Sequence, residues 1–193
     1  MSSLPLVSFF SPCAIFARPK KREADRVRSA GTIGTQEVPP ADFLAIDLPV
    51  LLVLGVEKLV RHLHRHNIPV AVATGSGRQG YDAKITNHKE IFQLVSHTVT
   101  SDDPNLQRCK PAPDIFQLAA SRFPSPPTSP GHVLVFEDAP NGVTAARAAG
   151  MKVVMVPDQR VDMEKCLQAH LVLNSLEEFD PTVWGFPPFD SNF

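Results

Sequence analysis

The sequence predicts a doubly wound (Rossmann-like) α/β fold, in which a parallel sheet carries helices on both faces. From about residue 53 onward, short apolar runs of strand length alternate with segments of helical periodicity. One such segment, GVEKLVRHLHRHN, places Val56, Leu59, Val60 and Leu63 at i, i+3, i+4 and i+7, which predicts an apolar helical face. Strands that alternate with helices of this size are typical of repeated βαβ units.

The other elements follow in chain order. After the first helix, PVAVAT is a short buried strand, and helices over 78–86 and 88–95 precede the strand HTVT. A proline in the first turn opens the helix in PAPDIFQLAASRF. HVLVF is the next strand, VTAARAAG a helix that ends on Gly150, and KVVMV another strand. HLVLN is the last short strand, and SLEEF opens with a capping box of Ser175 and Glu178.

Composition narrows the class of protein. With 193 residues, 43% hydrophobic and 20% charged residues, the chain suits a single globular domain. A formal net charge of -1 gives no indication of a nucleic-acid or anionic-membrane partner, and no apolar run is long enough to cross a bilayer. Cys13, Cys109 and Cys166 are widely spaced and form no CxxC pair. They favour a reducing compartment, so we expect a cytoplasmic protein. Separately, we expect the protein to be a monomer.

The amino-terminal segment differs from the rest of the chain. Residues 1–52 contain an apolar stretch interrupted by prolines, followed by the basic run RPKKREADRVR. We predict that they form a divergent, disordered leader, with a mitochondrial presequence as the alternative because no acid occurs before Glu23. Residues 53–186 are the predicted core domain, and 187–193 form a tail.

Polar residues follow three of the predicted strands, at the edge where open α/β sheets bind their ligands. After PVAVA come Thr74, Gly75 and Ser76. A hydroxyl and unhindered backbone N–H groups suit an anion site, although a simple glycine turn is the alternative. After HTVT and an acidic loop comes Lys110, held by Pro111 ahead of a helix. A fixed ammonium there would neutralise a phosphoryl oxygen, and an exposed surface charge is the alternative.

Glu137 and Asp138 stand side by side directly after HVLVF. Neighbouring carboxylates disfavour each other's ionisation unless a cation lies between them. Both are hard oxygen ligands suited to Mg²⁺, which takes one or two carboxylates from a protein. The alternative is a pair of acids at a helix N-terminus, where the helix dipole favours them. Each of these three signals is weak when taken alone. The order of hydroxyl, lysine and acidic pair, each after its own strand, is a much more specific pattern.

The segments VATGSG, KPAPDIF and VFEDAPNGVTAARAAGMKVVMVPD resemble motifs two, three and four of the haloacid dehalogenase-like hydrolase superfamily. The resemblance covers about residues 53–186 and is closest to the pseudouridine-5'-phosphatase branch. It implies Mg²⁺-dependent hydrolysis of a phosphate monoester through an aspartyl-phosphate. Carried over by position, Thr74 would bond the phosphoryl group, Lys110 would steady its charge, and the two acids would hold Mg²⁺. The implied partner is a small phosphorylated metabolite similar to a nucleoside monophosphate.

The nucleophile motif of that family is missing. The resemblance requires an aspartate at the end of the first, central strand and a second one two residues later, yet no D-x-D occurs in the 193 residues. The nearest substitute is Asp47 in FLAIDLPV, where position 49 is a proline and an irregular apolar linker is the alternative interpretation. We therefore predict a fold that is incomplete at its N-terminus, has no helical cap, and is catalytically inactive or severely impaired.

The central place in the sheet needs a strand, because its neighbours would otherwise expose unpaired backbone groups. LAIDL and LPVLLVL are the segments that could fill it. Replacement of the amino-terminal end, as in a truncated isoform, is the leading hypothesis. The alternatives are a phospho-receiver domain, disfavoured because its acids precede its lysine, and a non-catalytic module that binds phosphometabolites or a protein. His62 and His66 share a helical face, which we interpret as solvated and not as a zinc site.

Overall fold

The computed structural model describes residues 13–17 at the level of the backbone, and residues 55–158 and 160–190 in full. The strands are β1 Cys13–Ala17, β2 Val70–Thr74, β3 His97–Val99, β4 Leu134–Glu137, β5 Lys152–Met155 and β6 Leu171–Val172. The α-helices are α1 Val56–Arg65, α2 Arg78–Lys84, α3 Lys89–Phe92, α4 Asp114–Ser121 and α5 Pro140–Ala148. The strands form one sheet in the order β3-β2-β1-β4-β5-β6.

The predicted α/β architecture is confirmed, with changes at the element ends. The helix predicted over 88–95 is reduced to the four residues of α3. The segment after Asn174 forms a short 3₁₀ helix, in which the Ser175 hydroxyl accepts from the Glu177 backbone N–H at 3.2 Å. Glu178 accepts from the backbone N–H of Asn174 at 3.3 Å. The capping box is therefore displaced by one residue, because a 3₁₀ turn is tighter than an α-helical one.

The strands contribute alternate residues to two hydrophobic cores, one on each face of the sheet. In β4, Val135 belongs to the core that includes α4 and α5. Its neighbours Leu134 and Phe136 belong to the core that includes α1 and the carboxyl-terminal segment. Because successive side chains of a strand point to opposite faces, a strand covered on both faces has to be apolar throughout. The doubly wound arrangement follows directly from runs such as VAVA and LVF.

The central place in the sheet is held by β1, which runs antiparallel to both of its neighbours. Cys13 pairs with Thr74 of β2, and Ile15 pairs with Phe136 of β4, whereas the other strand pairs are parallel. β1 thus satisfies the backbone groups of both neighbours, although the prediction was a wholly parallel sheet. The segments LAIDL and LPVLLVL lie outside the described residues. The stretch 18–54 before α1, where we predict that a helical cap is missing, lies outside them as well.

One strand of the core therefore comes from the predicted leader. CAIFA lies between Pro12 and the basic run that follows Ala17. Proline cannot donate to a strand ladder, so the apolar stretch available for a central strand has five residues, the length of β2. For the rest of 1–52 disorder stays a prediction. Within 55–158 and 160–190, no helix is both long and apolar enough to cross a membrane.

The carboxyl-terminal segment packs across α1 at a buried histidine. His62 is 0% exposed, so the interpretation of its helix face as solvated is wrong at this position. Its Nε2 lies 3.0 Å from the carbonyl oxygen of Pro187 and must donate, which leaves Nδ1 as a buried atom with no hydrogen-bond partner. Phe189 stacks edge-on against the ring at 4.7 Å. Burial lowers the pKa of His62 most, and the opposing effects of Pro187 and Asp190 are smaller.

Acid is expected to weaken this packing. The pKa of His62 is lowered in the folded state, so the unfolded chain takes up the proton first and stability falls as pH drops below about 6.5. Each unit of lowering corresponds to about 1.4 kcal/mol. Urea unfolding at pH 7.5 and 5.5, followed by the fluorescence of the single tryptophan, Trp184, measures the effect. His62→Gln keeps an N–H donor and should lose less stability in acid.

The comparison between wild type and His62→Gln isolates this residue. Burial also lowers the pKa values of His97 and His170, and these two side chains act equally in both proteins. Identical pH dependence of the two unfolding free energies would show that the His62 contact has no role in acid stability.

Candidate functional site

The ends of two strands and one loop bring the predicted polar residues to a single edge of the sheet. Thr74 ends β2 and is 1% exposed, while Glu137 ends β4 and is 3% exposed. Asp138 follows it at 8% exposure. Lys110 reaches this edge from the loop that precedes α4. Three buried polar groups at the ends of apolar strands are costly to a fold unless they are paired or serve a ligand.

The Lys110 ammonium is held from three directions. Its Nζ donates to the carbonyl oxygen of Ala73 at 3.2 Å and to Glu137 Oε1 at 2.5 Å. The ring of Phe116, on α4, lies beneath it with its centroid 4.9 Å away, a cation–π contact. The Lys110 side chain is 7% exposed and that of Glu137 is 0% exposed. Lys110 is therefore a buried ammonium with fixed contacts and not an exposed surface charge.

The Glu137 side chain occupies the space above the first turn of α5. A Cβ atom built at Gly142 would overlap the Glu137 carboxylate. Glycine at this position therefore lets the carboxylate lie against the helix backbone. Glu137 Oε2 is buried without a hydrogen-bond partner.

The adjacent carboxyl groups of Glu137 and Asp138 are both buried, and both have raised pKa values. Burial raises the pKa of Glu137, an effect that the Lys110 ammonium opposes. Burial and the charge of Glu137 raise the pKa of Asp138 to about 8. Asp138 Oδ1 is a second buried oxygen with no partner. The pair thus offers two unpartnered acceptors where negative charge is poorly compensated, an arrangement that a cation would relieve.

These residues fit a hard divalent cation. Mg²⁺ takes one or two carboxylates and keeps several water ligands, which matches the two unpartnered oxygens of Glu137 and Asp138. Over residues 55–158 and 160–190, no group of three or more His, Cys, Asp or Glu side chains could hold a metal ion.

The loop after β2 is well ordered by its own hydrogen bonds. The Thr74 hydroxyl accepts from the Ser76 backbone N–H at 3.1 Å, so this predicted phosphate donor already has a partner inside the loop. The Ser76 hydroxyl accepts from Lys84 Nζ at 2.9 Å. Gly75 is exposed, which leaves the backbone at this position open to a ligand.

The place of the nucleophile is changed by the direction of β1. In a parallel central strand, the residue after the carboxyl end would lie beside Thr74, at the site. Here Cys13, the first residue of β1, pairs with Thr74, and the carboxyl end of β1 lies at the opposite edge of the sheet. Asp47, the substitute nucleophile suggested by the sequence, lies outside the described residues.

Comparison with known proteins identifies the family. Residues 17–150 match the hydrolase family described as haloacid dehalogenase-like hydrolase. The chain belongs to this family. The matched range begins at the last residue of β1 and includes Thr74, Lys110, Glu137 and Asp138. The fold of haloacid dehalogenase type that the motifs predict is thereby confirmed.

Two relatives of this haloacid dehalogenase-like protein carry the names of phosphatases. (DL)-glycerol-3-phosphatase 2 of Arabidopsis thaliana is 50% identical over 142 residues, which are 73% of this chain and 59% of the relative. A probable pseudouridine-5'-phosphatase of Drosophila melanogaster is 50% identical over 139 residues, which are 72% and 60% of the two chains. The predicted resemblance to pseudouridine-5'-phosphatases is therefore confirmed. The chain spans about three-fifths of the length of these two curated relatives.

A solved structure shows the same fold. CbbY from Rhodobacter sphaeroides, in a mutant form in complex with xylulose-(1,5)bisphosphate, has a TM-score of 0.59 and 26% sequence identity with the haloacid dehalogenase-like chain. The similarity covers 67% of this chain and 56% of that chain.

Sequence reasoning missed two residues that shape the site. Phe116 lies under Lys110, and no pattern in the sequence links a helix-core phenylalanine to a lysine in the preceding loop. The second residue is Gly142. Its position five residues after Glu137, in the first turn of the following helix, was a usable signal for a close approach.

Proposed function

We propose that this chain binds Mg²⁺ and a small phosphorylated metabolite at Thr74, Lys110, Glu137 and Asp138, as a phosphate monoester hydrolase whose turnover is absent or severely impaired. The observation that carries the proposal is the buried Lys110–Glu137–Asp138 cluster. It combines a fixed ammonium with two carboxylate oxygens that have no partner. The carboxylate oxygens suit a cation and the ammonium suits an anion, so the cluster is suited to binding both at once.

Each residue has a distinct part in binding. The Lys110 ammonium neutralises an oxygen of the phosphoryl group, and its bonds to Ala73 and Glu137 fix its position. The Thr74 hydroxyl, with the backbone at Gly75 and Ser76, orients the phosphoryl group by hydrogen bonds. Glu137 and Asp138 hold Mg²⁺ and its waters, and a bound Mg²⁺ supplies charge compensation to the phosphoryl oxygens.

Impaired turnover follows from the missing nucleophile. Covalent phosphoryl transfer needs a carboxylate oxygen that attacks phosphorus while the alcohol leaves. The chain contains no D-x-D, and β1 begins, rather than ends, at the site. Glu137 and Asp138 are the carboxylates proposed for Mg²⁺, so neither is available for attack. The alternative is a non-catalytic module that binds phosphometabolites or a protein partner.

The proposed ligand class is a small phosphorylated metabolite similar to a nucleoside monophosphate. It is supported by relatives named as phosphatases for pseudouridine-5'-phosphate and for glycerol-3-phosphate. The cytoplasm is the proposed location, which is supported by Cys109 and Cys166 being free thiols.

Binding of Mg²⁺ is expected to raise the melting temperature of the wild-type protein, because a ligand of the folded state stabilises it by mass action. Asp138→Asn should abolish the increase. Without Mg²⁺ the variant should be more stable than wild type at neutral pH, since folding no longer has to raise the pKa of this carboxyl group to about 8. Glu164→Gln, at an exposed carboxylate, is the matched control and should keep the full increase. An equal increase in Asp138→Asn would show that the ion binds elsewhere.

The activity arm uses pseudouridine 5'-phosphate and an aryl phosphate with Mg²⁺. Phosphate release by wild type should not exceed that by Asp138→Ala. Clear turnover by wild type that disappears in Asp138→Ala would overturn the proposed impairment. If wild type is active and Asp47→Ala also loses turnover, Asp47 would be supported as the nucleophile.

A further inference from the structure

The loop between β2 and α2 is fastened to the end of β3 by Asp102. Its two carboxylate oxygens accept from the Arg78 backbone N–H at 3.0 and 2.9 Å. Oδ1 also accepts from the Thr100 hydroxyl at 2.7 Å. One residue earlier, the Ser101 N–H donates to the Ser76 carbonyl oxygen at 3.0 Å. The loop that carries the phosphate-binding residues is thus held at two points.

The contact depends on a glycine. A Cβ atom at Gly77 would lie 2.9 Å from Asp102 Oδ2, too close for an undisturbed contact. Gly77 is also the N-cap residue of α2 and supplies no side-chain cap of its own. Asp102, 24 residues further along the chain than Arg78, performs the capping from a distance and joins the loop to the neighbouring strand.

We propose that Asp102 is a positioning residue for phosphate binding, which holds the loop from Thr74 to Arg78 in the conformation that presents the Thr74 hydroxyl and the Gly75 backbone to a phosphoryl group. This inference rests on the proposed function. Aspartate suits the role because a carboxylate has only acceptors. Asparagine would replace one of the two acceptor oxygens with an NH₂ group. That group is a donor and cannot accept from the Arg78 N–H or the Thr100 hydroxyl.

The negative charge of Asp102 is compensated locally. Hydrogen bonds from Thr100 and from the Arg78 backbone hold the pKa of Asp102 below its ordinary value, so the carboxylate is ionised at neutral pH. An ionised acceptor makes the stronger hydrogen bond. The Arg78 N–H contacts both oxygens, so Asp102 orders the backbone of the loop.

The test compares two neighbouring carboxylates in the full chain. Asp102→Asn removes the negative charge and leaves a single acceptor oxygen for the Arg78 N–H and the Thr100 hydroxyl. Asp103→Asn is the matched control, because the Asp103 carboxylate pairs with Arg122 at 2.5 and 2.8 Å and not with the loop. Titration with inorganic phosphate and, separately, with Mg²⁺ gives two dissociation constants for each protein. We expect Asp102→Asn to raise the phosphate constant roughly tenfold, the effect of about one lost charge-assisted hydrogen bond, and to leave the Mg²⁺ constant unchanged.

A second variant and a second readout guard against a purely structural effect. Gly77→Ala displaces the carboxylate without changing any charge and should weaken phosphate binding in the same direction. Amide hydrogen exchange at Arg78 should become faster in Asp102→Asn and stay unchanged in Asp103→Asn. Wild-type phosphate affinity in Asp102→Asn, or unchanged exchange at Arg78, would overturn the inference while leaving the proposed function intact. A wild-type protein that binds no phosphate would overturn both.

Discussion

Lys110→Met is expected to lower the free energy of unfolding by about 3–5 kcal/mol at neutral pH, the usual cost of removing one partner of a buried ion pair. The substitution leaves the Glu137 carboxylate, whose side chain is 0% exposed, without the ammonium 2.5 Å away. Methionine keeps much of the chain length and still packs on Phe116. Urea unfolding at pH 7.5 measures the loss.

A second substitution and a control variant test whether the loss of stability comes from the unpaired Glu137 carboxylate. Glu137→Gln in the Lys110→Met background removes the stranded charge and should restore most of the stability. Lys89→Met, at an exposed lysine, should change stability by no more than about 0.5 kcal/mol. The deficit should shrink in acid, because a protonated Glu137 does not need the ammonium. A deficit that is as small for Lys110→Met as for Lys89→Met would show that the ion pair has no structural role.

Gly142→Ala is expected to destabilise the protein by about 1–3 kcal/mol, the cost of overpacking a buried position. The new methyl group would overlap the Glu137 carboxylate and force it to shift. Helix propensity alone predicts the opposite sign, a gain of about 1 kcal/mol for alanine over glycine in a helix interior. The sign of the change in unfolding free energy therefore decides between the two effects. The Mg²⁺-induced rise in melting temperature should fall as well.

Gly80→Ala is the matched control for Gly142→Ala. Gly80 lies in α2, where a Cβ atom would meet only the Ser76 Cβ at 3.9 Å. This substitution should stabilise the protein by about 0.4–1 kcal/mol. If both glycine variants were stabilised equally, the close approach of Glu137 to α5 would not constrain the site.

Much of the fold was predictable because its signals are local. The apolar face of α1 and the continuous apolar runs of β2, β4 and β5 specify helix or strand without reference to distant residues. The runs are apolar throughout because both faces of the sheet are covered. Burial of His62 was not predictable, since the segment that covers it begins more than a hundred residues later, at Pro187.

The site was predictable in its parts for a related reason. Parallel strands bring their carboxyl ends to one edge, so Thr74, Glu137 and Asp138 were expected to meet there. The orientation of Lys110 between Ala73, Glu137 and Phe116 required side-chain packing. Asp102 reaches Arg78 across 24 residues, and its acidic neighbour Asp103 could not be distinguished from it by sequence pattern.

The sequence by itself determined the order of strands and helices from α1 onward, the polar residues at the strand ends and the absence of D-x-D. Only the tertiary structure decided that Cys13–Ala17 fills the central place in the sheet and runs antiparallel. The physical reason is that strand direction leaves no mark on a short apolar segment. The direction of CAIFA is set by its pairing with β2 and β4, which lie far away in the chain.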